Sequence, residues 1–132
     1  MKANELMIGD YISTPSAITK VEEVAEIYPV GVLTREGGIW LEDEIQPIPL
    51  THYILEKNGF CMVNMYYVLR LDEQSYLEFY FFEHRLRKCW KGVDEWNNHS
   101  EQMEIVFQCN CESVHELQHA LRLCGINKDI VL

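Results

Sequence analysis

No apolar run in this chain reaches the roughly 18 residues that a membrane-spanning helix requires. Cations are also scarce, 11 Lys and Arg against 21 Asp and Glu, and the net charge of -10 argues against a surface that grips phosphate backbones non-specifically. Glycine-rich phosphate loops, a nucleophile elbow and a dinucleotide fingerprint are all missing. So are repeats, low-complexity tracts and Gly/Ser linkers. The five cysteines (Cys61, Cys89, Cys109, Cys111, Cys124) are odd in number and scattered through apolar segments. They suit reduced thiols packed as small hydrophobes better than a disulfide framework. The opening, MKANELMIGDYIS, carries acidic residues and no long apolar core, so no secretory signal is expected and a cytoplasmic location is the default.

What remains is a chain of 132 residues with 48% hydrophobic and 11% aromatic residues, too apolar to be disordered. A chain of this length buries about two-thirds of its unfolded surface, enough for a core without staples. Its turn signals divide it near Pro47 and Pro49. Residues 1–48 read as short strands, LMIGDYIS, AITKVEEVAEIY, VGVLT and IWLEDEIQPI, separated by Ser/Thr/Pro and Gly-Gly turns. Tight turns between four or five strands suggest a small SH3-like β-barrel. Val21, Val24 and Ala25 also have helical spacing, but turn signals on both sides favour a strand.

Residues 49–132 read as an α-β-β-β-α unit with an antiparallel sheet, making the whole α+β. Thr51 is a good N-cap, Leu50 and Leu55 form a staple, and Asn58-Gly59 stops the helix so that Phe60 closes back on Leu55. Strands are expected at 61–71, 75–90 and 102–110, with Asp72 to Ser75 as the first turn and 92–102 as a loop. The aromatic run SYLEFYFFE reads as a central strand covered on both faces. A helix over 113–124 and a short final strand in NKDIVL complete the reading.

HELQH, residues 115–119, fits the H-E-x-x-H pattern, in which two histidines one turn apart hold zinc and the glutamate acts as base. Three features oppose it. Val114, Leu117, Ala120, Leu121 and Cys124 form the apolar stripe, placing His115 and His119 nearly opposite, toward solvent. Ser113 and Glu116 form a capping box, which already accounts for the glutamate. The third ligand of the extended motif is missing, since Arg122 and Gly125 stand where glycine and histidine would. A structural zinc site from Cys109, Cys111, His115 and His119 has spacing too tight for a finger. The preferred reading is a capped helix, with no catalytic residue, no metal and no cofactor.

HRLRKCWK gathers Arg85, Arg87, Lys88 and Lys91 beside Trp90, as a phosphate track would. In so acidic a chain it reads better as a solvated strand end balancing nearby acids. Glu42-Asp43-Glu44 reads as a solvated turn, and Cys61 and Cys89 lack an activating neighbour in sequence.

Three blocks, MKANELMIGDYI, IQPIPLTHYILEKNGF and SVHELQHALRLCG, resemble a family of small uncharacterised proteins of gut Bacteroidetes genomes and their phage-like or conjugative elements. Its pattern runs M-K-A-N-E-L-R-I-G-N, then I-x-P-I-P-L-T with a later G-F, then V-H-x-L-Q-N. The chain departs at Met7, Asp10 and His119, where the pattern reads Arg, Asn and Asn, and the pattern does not require Glu116. The resemblance implies a mobile-element setting and brings no activity, cofactor or catalytic residue. The function expected is a non-enzymatic binding or accessory module whose partner is another protein, with nucleic acid and membrane disfavoured. A zinc-dependent hydrolase built on His115, Glu116 and His119 is the alternative, and nucleic-acid binding or mimicry a second one.

Overall fold

The computed structural model describes residues 1–25, 31–35, 37–93 and 101–132. It is a mixed α+β protein with two antiparallel sheets, and its chain divides into two compact units. The first comprises Met1–Leu50 and Ser113–His119, the second Thr51–Glu112 and Ala120–Leu132. Among the described residues no helix is long and apolar enough to cross a membrane.

In the first unit a 3-10 turn (Ala3–Glu5) precedes strands β1 (Tyr11–Ser13), β2 (Ile18–Ala25), β3 (Gly31–Thr34) and β4 (Ile39–Leu41). They form one antiparallel sheet in chain order. The β1–β2 turn is closed by Thr14, whose hydroxyl donates to the Ala17 carbonyl and accepts from the Ser16 and Ala17 amides. The segment 18–25 is the strand that its turn signals favour over a helix. A register shift between Val21 and Glu23 bends it, as a bulge does. Ala3, Leu6, Ile12, Val21, Val32 and Ile45 make the core, with Met1, Val24 and Trp40 packed on it. Each large member contributes about 1.5–3 kcal/mol by leaving water. No pairing of β1 with β4 that would close a barrel is present among the described residues. An isolated bridge joins Ser13 to Gln46 instead.

Helix α2 (Val114–Leu123) starts in this unit, where the Val114 amide donates to the Ile48 carbonyl at 2.8 Å.

In the second unit, helix α1 (His52–Lys57) begins and ends as its sequence dictates. The Thr51 hydroxyl accepts from the Ile54 amide at 3.2 Å. Gly59 adopts φ +91°, and the Gly59 and Phe60 amides donate to the Glu56 and Leu55 carbonyls, a Schellman close. Five strands follow in one antiparallel sheet in chain order: β5 (Cys61–Val63), β6 (Tyr66–Arg70), β7 (Ser75–Tyr80), β8 (Arg85–Val93) and β9 (Glu101–Asn110).

This corrects the expectation of three strands. The stretch 61–71 is broken into a hairpin at Asn64, which adopts φ 57°. The stretch 75–90 is broken by a 3-10 turn (Phe81–Glu83) and by His84 at φ 48°. Strand β7 is central, paired on both sides, but its residues alternate buried and half-buried. Only one of its faces is fully covered. The turn at Asp72 to Ser75 is as expected, with the Asp72 carboxylate accepting from the Gln74 and Ser75 amides. The final strand does not form. Instead the Asn58 amide side chain bonds the Val131 carbonyl at 2.8 Å and accepts from the Val131 amide at 2.7 Å, imitating a strand partner. Most of the expected loop, residues 94–100, lies outside the described residues.

Candidate functional site

His115, Glu116 and His119 lie in the part of α2 that belongs to the first unit, and the histidines do not face solvent as helix phase suggested. His115 is 6% exposed and His119 is half-buried. The buried arc of the helix is wider than its apolar stripe, because Gln118 and His115 share the burial of Val114, Leu117, Ala120 and Leu121. Polar residues are buried when hydrogen bonds replace their water. The Gln118 carboxamide accepts from the Tyr11 amide at 2.9 Å and donates to the Gly9 carbonyl at 3.0 Å. His119 bonds, through Nε2, the Asp10 carboxylate at 2.5 Å, and Asp10 is wholly buried. Asp10 also accepts from the Met7 amide at 2.8 Å.

The proton positions follow from this network. The Ser113 hydroxyl donates its single hydrogen to Glu116 Oε1 at 2.9 Å. It therefore accepts from His115 Nδ1 at 3.0 Å, which places the imidazole hydrogen on Nδ1. His115 Nε2 is left as a lone pair. Asp10, an acceptor, likewise fixes a hydrogen on His119 Nε2. The two rings meet edge to face with centroids 5.6 Å apart. An open cleft of about 670 Å³ lies before them, lined by Met1, Glu5, Pro47, His115, Glu116 and His119.

Burial pushes the His115 pKa below its ordinary 6.5, the carboxylates of Asp10, Glu116 and Glu5 oppose the shift, and His119 adds to it. A base whose folded pKa is depressed stabilises the fold fully above its unfolded pKa, and that stability is lost as pH falls from 6.5 through the folded value. The urea midpoint is therefore expected to fall on acidification through this window. In a His115→Asn variant, whose amide can still donate to Ser113, the slope should flatten. Parallel slopes would remove His115 as the cause.

The zinc pattern is not assembled as a zincin needs. His119 Nε2 is engaged by the Asp10 carboxylate, whereas His115 has only Nδ1 bonded. Among the described residues no group of three or more His, Cys, Asp or Glu is placed to hold a metal ion. Cys109 lies at the end of β9 and Cys111 is buried just after it, its amide donating to the His84 carbonyl, both in the second unit. All five cysteines are free thiols, and burial pushes the Cys89 and Cys124 thiols up, away from the reactive thiolate.

The basic run lies along β8. Arg85 is paired with Glu83 and Arg87 with Glu78. Glu42 accepts from the Ala3 amide at 2.8 Å. Asp10, Gln118 and Glu5 were not singled out from sequence. The available signal was the resemblance itself, since its pattern reads asparagine at both 10 and 119, the two positions that turn out to be in contact.

The site and fold together define a small α+β protein with a buried histidine–carboxylate network opening on a cleft. No family model matches the chain, nor does any curated protein or solved structure.

Proposed function

We propose that the protein is a non-enzymatic binding module whose partner is another protein, acting in a phage-like or conjugative setting as the resemblance implies. The observation that carries this reading is the β5 edge. All three β5 residues are exposed, and Met62, Val63 and, in the hairpin, Met65 are each more than half exposed. Strand β5 ends its sheet, so its outer backbone groups are available to an added strand while these side chains offer apolar grip. Methionines suit such a surface because they repack against varied partners.

The alternatives have less behind them. A hydrolase through His115, Glu116 and His119 could use His115 Nε2, but His119 Nε2 is bonded to the Asp10 carboxylate. Nucleic-acid binding through β8 would use Arg85 and Arg87, which already have carboxylate partners. For the first unit we retain the small SH3-like barrel, a reading supported by the Ser13–Gln46 bridge, which ties β1 to the residues after β4.

The test is affinity capture from cells that carry the gene, comparing wild type with a Met62→Lys/Val63→Lys variant. Lysine on an edge strand blocks strand addition without disturbing the interior. At least one protein should be retained by wild type and reduced about tenfold by the variant, with unchanged circular dichroism. Identical captured proteins would remove the β5 edge as the interface.

A further inference from the structure

The cleft on the first unit has a chemistry of its own. Its acidic walls are Glu5 and Glu116, and neither has an ion-pair partner among the described residues. No lysine or arginine lines it. The Met1 amino group is turned to the Glu42 and Ile45 carbonyls at 3.1 and 3.4 Å. At the back stands His115, more than nine-tenths buried, its Nδ1 committed to Ser113. Its Nε2 has no hydrogen-bond partner among the described residues and is not sealed in the interior, so it opens on the cleft. A cleft-facing lone pair of this kind is free to accept a hydrogen bond from a ligand that brings a donor.

We propose that this cleft binds an alkyl cation carrying N–H donors, the chemistry of a lysine or arginine side-chain end or of a free alkylamine. The cation donates to His115 Nε2, its charge lies between the Glu5 and Glu116 carboxylates, and its stem runs along Met1 and Pro47. Three features select this class. The ligand must donate, because His115 presents a lone pair. It must be cationic, because the walls carry two carboxylates without ion-pair partners and no lysine or arginine, while the Met1 ammonium is held by the Glu42 and Ile45 carbonyls. It must be larger than a bare ion, because the space is about 670 Å³ and no three ligating groups among the described residues converge. The inference does not rest on the β5 edge.

The experiment is a nitrogen-15 NMR titration of the full-length protein at pH 7.5, reading the imidazole nitrogens, with butylguanidinium and butylammonium as probes. A saturable shift of His115 Nε2 is expected with a Kd of about 1 mM, Nδ1 staying still because Ser113 keeps it. N,N,N-trimethylbutylammonium, with equal charge and no N–H donor, should bind at least about threefold more weakly. Glu5→Gln should weaken butylguanidinium about threefold, as loss of an exposed charge does. This substitution is at an exposed position, so the fold is kept and the comparison remains interpretable.

A blocked arginine tripeptide binding more tightly than butylguanidinium assigns a protein side chain as the source, and the reverse order assigns a free amine. No shift of Nε2 up to saturating probe, equal binding of the trimethyl analogue, or an unchanged Kd in Glu5→Gln would each overturn the proposal. Stoichiometric binding of zinc ion alone, moving both imidazoles and excluding butylguanidinium, would overturn it in favour of a metal site.

Discussion

Asp10→Ala is expected to lower the free energy of unfolding by about 2–4 kcal/mol, the cost of leaving the donors to a buried carboxylate without an acceptor, reduced because His119 is partly exposed. The carboxylate is wholly buried, and its donors include the Met7 amide and His119 Nε2. Alanine leaves both without an acceptor where water cannot fully replace it. The loss should appear as a lower urea midpoint at unchanged slope. The resemblance supplies a sharper form of the same test, because its pattern has asparagine at both positions. Asp10→Asn and His119→Asn should each destabilise, and together should do so by about 1–2 kcal/mol less than their sum. Additive effects would mean that the contact at 2.5 Å carries no coupling.

Phe79→Ala is expected to cost about 3–5 kcal/mol, the usual penalty for emptying a large core position. Phe79 is wholly buried in β7, the middle strand of its sheet, between Tyr67 on β6 and Leu86 on β8. It also meets Phe81 edge to face at 4.9 Å, a contact worth about 0.5–1.5 kcal/mol beyond area. Phe81 in turn stacks on His52 at 4.1 Å and meets Tyr67 edge-on at 5.6 Å. The turn that separates β7 from β8 therefore loses an anchor with the ring. Hydrogen exchange should accelerate most in β6, β7 and β8. Phe79→Leu should recover most of the stability, since it restores most of the volume. Equal losses in the two variants would point to ring contacts rather than cavity size.

Helix α1 was legible because its start and stop rest on local rules: Thr51 must accept an amide and Gly59 must take a positive φ. The extra strand breaks were not. Asn64 and His84 adopt left-handed conformations without glycine, and Phe81 and Phe82 have strong strand propensity although they sit in a 3-10 turn. The chain reverses there because of pairing between β7 and β8, which no local signal encodes. The histidines of α2 were misplaced for a different reason. Helix phase assigns burial by apolarity, whereas His115, Gln118 and His119 are covered by specific hydrogen bonds to Ser113, Gly9, Tyr11 and Asp10. Such partners lie up to 109 positions away in sequence and leave no periodic trace. The capping pair was half legible, since Ser113 and Glu116 do interact, with the hydroxyl donating to the carboxylate.

The first unit is assembled from two pieces of chain, and that sets an order in time. Leu50 and His119 are separated by 69 positions, which a ribosome covers in roughly 3–14 s. During that interval the strands β1 to β4 can pair, but the Asp10 carboxylate and the Gly9 and Tyr11 backbone groups that α2 will satisfy must stay hydrated. Those polar groups thus lack their partners until the segment Ser113–His119 has been made.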